Sequence, residues 1–170
     1  MEERVILVDI NDSPIGEMGK LEAHQKGELH RAFSIFIFNS KGELLLQQRA
    51  LDKYHSGGLW TNTCCSHQRP GEDNLDAANR RLMEEMGMKV NLTGVFNFTY
   101  RAEFENGLIE HEFDYVFFGK SDLLPVINKE EVEHYKYISM DLLEKELLHH
   151  QNHYTPWLKI CLDRVIEQLK

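Results

Sequence analysis

Apolar and polar positions follow one another along the chain in short blocks that are typical of β-strands. Residues Ala32 to Phe38 are rich in Phe and Ile, residues Asn39 to Gly42 have the composition of a turn, and residues Glu43 to Gln48 return to an apolar run. This succession predicts a β-hairpin. The same criteria predict one strand near Leu92 to Arg101 and another near Leu108 to Phe118. The turn between them is predicted at Glu105-Asn106-Gly107.

Two other segments repeat apolar residues at helical spacing. From Asn74 to Met86 the apolar positions are Leu75, Ala78, Leu82 and Met86, and Gly87 supplies a stop. The face opposite this apolar stripe is predicted to be polar and carries Arg80, Arg81, Glu84 and Glu85. A C-terminal helix is predicted after Thr155-Pro156, with an apolar stripe at Trp157, Leu158, Cys161, Leu162, Val165, Ile166 and Leu169.

The order of these elements predicts an α+β fold. Strands come before and after a central helix and another helix ends the chain, which indicates a mixed sheet covered by helices. No internal repeat, low-complexity tract or linker interrupts the pattern. We therefore expect residues 1–170 to form a single domain.

Charge and composition exclude several classes of function. The formal net charge is -9 and no dense Lys/Arg run occurs, which disfavours nucleic acid and anionic membranes as partners. No apolar run approaches the roughly 20 residues that a bilayer crossing requires. The acidic start of the chain lacks the pattern of a signal or transit peptide, and Cys64, Cys65 and Cys161 do not suggest a disulfide framework. We expect a cytoplasmic protein with free thiols.

The most informative block runs Trp60-Thr61-Asn62-Thr63-Cys64-Cys65-Ser66-His67 and is followed by Pro70-Gly71-Glu72. It resembles the cysteine motif of the type I isopentenyl-diphosphate isomerases. In that motif the catalytic cysteine follows Trp-Thr-Asn and a metal-binding histidine stands two residues later. The resemblance gives these positions to Cys65 and His67. Gln68 departs from the Pro that many members have, which should affect only a loop.

The stretch from Glu72 to Gly87 resembles a degenerate Nudix box, the helix and loop that present carboxylates to a divalent metal. Ser66 stands where the Nudix consensus opens with Gly, and Arg81 replaces a Glu, so one carboxylate of the hydrolase set is missing. The resemblance implies a Nudix-like α/β/α sandwich with a mixed β-sheet. It disfavours ordinary Nudix hydrolysis.

A third match is Tyr100-Arg101-Ala102 followed by Glu110-His111-Glu112, in which two glutamates share one face of a strand. The resemblance implies a metal site formed by His24, His30, His67, Glu110 and Glu112. Mixed imidazole and carboxylate ligands suit Mn²⁺, Zn²⁺ or Fe²⁺ better than Mg²⁺. We expect His24 to lie in a loop. The remaining histidines considered are expected to be surface or hydrogen-bonded residues: His55, His134, His149, His150 and His153.

The family activity that the resemblance implies is the interconversion of isopentenyl and dimethylallyl diphosphate by adding one proton and removing another. Cys65 and Glu112 would be the proton carriers, assisted by Tyr100, and Trp157 would stabilise a cationic intermediate. A second ion, Mg²⁺, would bridge Glu85 to the substrate diphosphate. The implied substrate-binding residues are Lys20, Arg49, Lys53, Ser66, Arg81 and Trp157.

Two other functions stay open at this point. A Nudix-type diphosphohydrolase would use Glu72, Glu84 and Glu85 with metal to activate water. A metal-bound binding domain without activity is also compatible with the fold, because fold alone does not determine function. The sequence leaves the identity of the metal, the proton donor and the oligomeric state undetermined.

Overall fold

The computed structural model describes residues 1–170 and contains one nine-stranded mixed sheet with four α-helices. The strands are β1 (Arg4–Val8), β2 (Pro14–Gly19), β3 (His30–Phe38), β4 (Leu44–Arg49), β5 (Trp60–Thr61), β6 (Cys64–Ser66), β7 (Thr93–Glu103), β8 (Ile109–Lys120) and β9 (Val132–Ile138). The helices are α1 (Lys20–Lys26), α2 (Asn74–Met86), α3 (Met140–His149) and α4 (Pro156–Leu169). No helix in the structure is both long and apolar enough to cross a bilayer.

Strand β3 organises the sheet. It runs parallel to β8 along its whole length, from the pair His30 and Glu112 to the pair Phe38 and Lys120, and antiparallel to β6 and β1. Strand β7 pairs with the outer side of β8, and β4 pairs with β5 and β9. The parallel β3–β8 pair makes the sheet mixed, because the other pairs are antiparallel.

Side chains of β3 alternate between two hydrophobic layers, as the twofold repeat of a strand requires. Phe33, Ile35 and Ile37 pack with the buried face of α2, whereas Phe36 and Phe38 pack with residues of α3 and α4. Helices therefore cover both faces of the sheet. This α/β/α arrangement confirms the predicted fold class.

Helix α2 has the bounds that its apolar spacing predicts. The Asp73 side chain accepts hydrogen bonds from the backbone N–H groups of Leu75 and Asp76 and so caps the N-terminus. Gly87 ends the helix at φ 61°, where a Cβ atom would lie 2.4 Å from the Val126 carbonyl oxygen. The predicted apolar face contains one error, because Leu75, in the first turn, is 39% exposed. On the polar face, Glu85 is buried.

The predicted hairpin forms only at its turn. Strands β3 and β4 share the single pair Phe38 and Leu44, after which β3 follows β8 and β6 while β4 follows β9. Both strands are apolar on both faces, so their pattern indicates burial without specifying the neighbouring strand. The position predicted for His24 is also wrong, because His24 lies in α1 and not in a loop.

Candidate metal centre and active site

Strand β8 presents a row of buried acids to the layer that contains α4. Glu110, Glu112 and Asp114 alternate with more exposed residues, so they share one face of the strand. Glu112 lies directly opposite Tyr100 of β7 on one side and His30 of β3 on the other. The sheet register alone therefore brings three predicted site residues together.

Three imidazoles converge on Glu112. The Nε2 atoms of His67, His30 and His24 lie 3.0, 3.6 and 4.0 Å from Glu112 Oε1. His30 begins β3, His67 follows β6, and α1 brings His24 over the end of the sheet. The four potential ligand atoms lie within 4.8 Å of one another, and all four residues are buried.

The ring orientations fit a divalent metal. Nδ1 of His24 donates to the Lys20 carbonyl oxygen at 2.7 Å, and Nδ1 of His30 donates to the Glu28 carbonyl oxygen at 2.8 Å. Because Nδ1 carries the proton in each ring, the lone pair of Nε2 is available to bind a metal ion. Both Nε2 atoms are buried without a hydrogen-bond partner. Burial and the nearby His67 and His30 rings lower the pKa of His24 to about 3, so it is neutral at pH 7. This buried His/Glu group is compatible with a divalent metal.

Tyr100 connects the two glutamates. Its hydroxyl lies within hydrogen-bond distance of both, 2.7 Å from Glu112 Oε2 and 3.1 Å from Glu110 Oε2. Burial and the charges of Glu110 and Glu112 raise the pKa of Tyr100 well above its usual range. Burial and the Glu112 carboxylate also raise the pKa of Glu110. Tyr100 is therefore a protonated donor beside a carboxylate that is already engaged by imidazoles.

Cys65 lies across β3 from this group. Strands β6 and β8 flank β3, and Cys65 pairs with Ser34 on β3. The thiol donates to Asn62 Oδ1 at 3.0 Å and accepts from Trp157 Nε1 at 3.2 Å. Burial raises the pKa of Cys65, so the thiol form is favoured. Two directed hydrogen bonds therefore hold the Cys65 thiol in place.

Asn62 contacts the Cys65 thiol, and its place in the Trp60–His67 block gave it no predicted role. Its Nδ2 donates to the carbonyl oxygens of Ile35 and Cys64, each at 3.1 Å. Those two acceptors fix the amide orientation and direct Oδ1 towards the Cys65 thiol. Asn62 therefore orients the hydrogen of the thiol.

The other two cysteines lie away from the cleft. Cys64 points to the opposite face of β6, where its thiol donates to Glu85 Oε2 at 2.9 Å. Cys161 is 1% exposed and packs in the layer under α4. Of the three thiols, only that of Cys65 lines the cleft.

The cleft that contains Cys65 and Glu112 is also lined by four cationic side chains, which we call the cationic mouth: Lys20, Arg49, Lys53 and Arg81. The predicted substrate-binding residues all line one cleft: Lys20, Arg49, Lys53, Ser66, Arg81 and Trp157. The Nε atoms of Arg49 and Arg81 are buried without a hydrogen-bond partner. Lys53 forms an ion pair with Glu131, and Arg81 also reaches Glu131, at 3.4 Å. A net charge of -9 thus coexists with a local site that suits an anion.

Glu85 occupies a different part of the cleft from the His/Glu group. Its Oε1 accepts from Arg81 at 2.6 Å, and its Oε2 accepts from Gln47 at 3.1 Å as well as from Cys64. The clustered potential ligands do not include it. The Mg²⁺ role of Glu85 stays a prediction.

His55 is the hydrogen-bonded member of the five other histidines considered, and the remaining four lie at the surface. It is 6% exposed and lines the cleft, whereas His134, His149, His150 and His153 are exposed. It lies between β4 and β5 in a segment without apolar periodicity, so no pattern could place it beside β8. Gln68, the departure in the cysteine block, donates to the Glu72 carbonyl oxygen at 2.8 Å and holds a loop.

Comparison with known proteins gives a consistent result at the levels of sequence and fold. The NUDIX domain family model matches residues 28–158. Isopentenyl-diphosphate Delta-isomerase 2 of Aromatoleum aromaticum is 54% identical over 98% of this chain and 88% of the relative. Isopentenyl-diphosphate Delta-isomerase of Pectobacterium atrosepticum is 54% identical over 95% of this chain and 90% of the relative.

Solved structures support the fold assignment. DR0079 from Deinococcus radiodurans superposes with a TM-score of 0.73 at 19% identity, covering 87% of this chain and 90% of its own. The MutT protein from Methanosarcina mazei Go1 gives a TM-score of 0.66 at 19% identity, covering 84% and 96%. At this identity the likeness concerns the fold alone. With a NUDIX domain over most of its length and relatives more than half identical along nearly all of it, the chain belongs to the isopentenyl-diphosphate Delta-isomerase family.

Proposed function

We propose that this protein interconverts isopentenyl diphosphate and dimethylallyl diphosphate, with Cys65, Glu112 and Tyr100 as the catalytic residues. One observation carries the proposal. A protonated thiol and a tyrosine–glutamate pair stand on strands that flank β3, and both line the same cleft. Cys65 pairs with Ser34 on one side of β3, and Glu112 pairs with His30 on the other side. The cleft therefore presents the two groups to a bound substrate from different directions.

The reaction needs two proton carriers because it protonates one carbon and deprotonates another. A proton added to the terminal CH₂ of the alkene leaves a tertiary cation, and loss of a proton from the carbon next to the CH₂–O group forms the new double bond. Cys65 serves one of these carbons, and Glu112 with Tyr100 serves the other. Proton loss balances proton gain, so the reaction needs no redox partner.

The surroundings protect the cation. Trp157 is 2% exposed and touches Cys65, so its ring borders the reacting carbons and helps to exclude water. An aromatic face attracts a cation by about 0.5 to 2 kcal/mol. The Arg49 guanidinium lies 5.3 Å from the centre of the same ring and links it to the anion-binding mouth.

Lys20, Arg49, Lys53 and Arg81 would bind the diphosphate, with Ser66 beside them. The unpartnered Nε atoms of Arg49 and Arg81 supply donors that phosphate oxygens satisfy through charge-assisted hydrogen bonds. Mg²⁺ carried by the substrate would meet the Glu85 carboxylate at the base of this mouth. The substrate is thus a small prenyl diphosphate, and the three free cysteines fit a reducing, cytoplasmic compartment.

His24, His30, His67, Glu110 and Glu112 would hold one divalent ion. When bound, the ion would supply positive charge that fixes the ionised form of Glu112. Imidazole-rich ligands favour Mn²⁺, Zn²⁺ or Fe²⁺ over Mg²⁺.

Proton NMR tests the proposed reaction directly. Protein incubated with isopentenyl diphosphate and Mg²⁺ should produce the two methyl signals of dimethylallyl diphosphate without release of phosphate. Release of inorganic phosphate or of a monophosphate without isomerisation would support a hydrolase. An unchanged substrate spectrum from folded, metal-loaded protein would support a binding domain.

The anion site gives a second prediction. Lys53→Gln should raise the KM for isopentenyl diphosphate by about 10- to 100-fold with a smaller change in kcat, because a charge-assisted hydrogen bond contributes roughly 1.5–3 kcal/mol. Steady-state kinetics measures both constants. Lys129→Gln is the matched control, since Lys129 is exposed and bonds only to the Glu133 carbonyl oxygen. A KM equal in the two variants would remove Lys53 from the diphosphate site.

The diphosphohydrolase alternative is weakened by the arginines of α2. Glu72 binds Arg80 through bonds of 2.7 and 3.0 Å, and Glu84 binds Arg81 at 2.7 Å. Glu72 and Glu84, two of the three carboxylates that a hydrolase would present to metal, are therefore paired with arginine.

A further inference from the structure

His55 is a buried histidine with no place in the reaction described above. Its Nε2 atom lies 3.3 Å from Glu110 Oε1, and it lines the cleft beside the metal centre. A buried imidazole this close to a buried carboxylate has few possible functions. It can orient the carboxylate, or it can bind the same ion.

Aromatic neighbours fix the plane of the His55 ring. Phe104 stacks on it with ring centroids 4.5 Å apart, and the Tyr54 ring meets it edge-on at 4.7 Å. Trp157 approaches edge-on at 6.0 Å. On the other side of the ring, Nδ1 lies 3.4 Å from the Ser56 hydroxyl oxygen. These contacts leave Nε2 facing Glu110.

The ligand atoms around Glu110 form a second group that overlaps the first. His24, His55 and Glu110 each offer an atom within 4.8 Å of the other two, and His24 also belongs to the group with His30, His67 and Glu112. His24 has a single available nitrogen, because its Nδ1 is bonded to the Lys20 carbonyl oxygen. One nitrogen lone pair binds one ion, so the two groups converge on a single site.

The orientation of Glu110 agrees with this convergence. Its Oε2 is in hydrogen-bond contact with the Tyr100 hydroxyl at 3.1 Å. Its Oε1 lies 3.9 Å from His24 Nε2 and 3.3 Å from His55 Nε2. Oε1 of Glu110 and both Nε2 atoms face a common space.

We propose that His55 would supply a fourth imidazole to the metal centre, beside His24 and Glu110. The inference rests on the metal site of the proposed function and extends its ligand set. Four imidazoles and two carboxylates would make the site richer in nitrogen than the five-residue set, which favours late transition ions over Mn²⁺ and Mg²⁺.

The number of ligating imidazoles can be counted in the cobalt-substituted protein. Proton NMR in water of the full chain loaded with Co²⁺ should display four far-shifted, solvent-exchangeable ring N–H signals, one from each ligating histidine. His55→Phe keeps an aromatic ring against Phe104 and Trp157 but removes the nitrogen, and should leave three signals. His134→Phe, at an exposed histidine outside the cleft, should keep four.

Metal affinity provides a second readout. Competition with a chelator should give a Co²⁺ dissociation constant at least about 10-fold weaker for His55→Phe than for His134→Phe, since loss of even an outer-shell partner costs 10–100-fold. Three signals in the wild type would overturn the proposal. A weaker affinity for His55→Phe together with three wild-type signals would instead mean that His55 acts only through Glu110.

Failure of this inference can be distinguished from failure of the proposed function. Wild-type protein that isomerises isopentenyl diphosphate and gives three shifted signals retains the function and the five-residue site but loses the His55 ligand. Protein that takes up no Co²⁺ at all contradicts the metal centre itself, and with it the role of His55.

Discussion

Cys65→Ala should lower kcat for isomerisation by about 10³-fold or more, because removal of a positioned proton carrier typically costs 10²–10⁴-fold and no neighbouring group can replace this one. Cys65 is the thiol that lines the cleft, and Asn62 and Trp157 both bond to it. The KM for isopentenyl diphosphate should change little, since the diphosphate binds at the cationic mouth. Proton NMR of the dimethylallyl methyl signals measures the rate.

The matched control is Cys161→Ala, which removes a thiol that is 1% exposed in the layer under α4. It should lower the free energy of unfolding slightly and leave kcat within about twofold of wild type. Circular dichroism and the denaturation midpoint establish that both variants are folded. Activity of Cys65→Ala within 10-fold of the control would exclude Cys65 as a proton carrier.

The sequence predicted the local structure wherever one residue pattern dominates. Helix α2 is the clearest case, because an apolar stripe and a terminal glycine agree over residues Asn74–Met86. Strands β7 and β8 also lie where aromatic alternation and the turn at Gly107 place them. The predicted hairpin gave β3 the wrong main partner, β4 instead of β8, since a strand buried on both faces carries no information about its neighbours.

The candidate site could be predicted only in part. Cys65, His67 and the Glu110–Glu112 pair belong to motifs with fixed spacing, and the register of β3 and β8 brings them together. His55 and Glu131 come from loops, and only the folded chain brings them against Glu110, Lys53 and Arg81. Such contacts join residues that are far apart in sequence, so the hydrophobic periodicity of the chain cannot predict them.

Asp114 illustrates the same limit. It continues the acidic face of β8 two residues beyond Glu112 and accepts a hydrogen bond from Ser34 at 2.8 Å. Burial and the Glu112 charge raise the pKa of Asp114 well above its usual value. The strand alternation predicts that it faces the same layer as Glu112, but its hydrogen bond to Ser34 depends on the parallel pairing of β3 and β8.

Glu112→Gln should abolish both metal retention and isomerisation, because Glu112 contacts more of the site than any other carboxylate. Its Oε1 lies 3.0 Å from His67 Nε2 and 3.6 Å from His30 Nε2, and its Oε2 is hydrogen-bonded to the Tyr100 hydroxyl. Glutamine keeps the size and one acceptor oxygen but removes the negative charge that a divalent ion and a proton acceptor both require. We expect kcat to fall by at least about 10³-fold, a loss typical of general acid–base residues.

The metal content of purified Glu112→Gln, measured by elemental analysis, should fall well below one ion per chain under conditions that saturate the wild type. Glu103→Gln is the matched control on the same hairpin, because Glu103 is exposed and pairs only with Arg101 at 2.6 Å. It should keep both metal and activity. Full metal occupancy with lost activity in Glu112→Gln would mean that Glu112 acts on protons without anchoring the ion, whereas full activity would remove it from the site. Because Tyr100 reaches Glu112 and Glu110 alike, retained activity would also direct attention to Glu110 as the carboxylate that carries the proton.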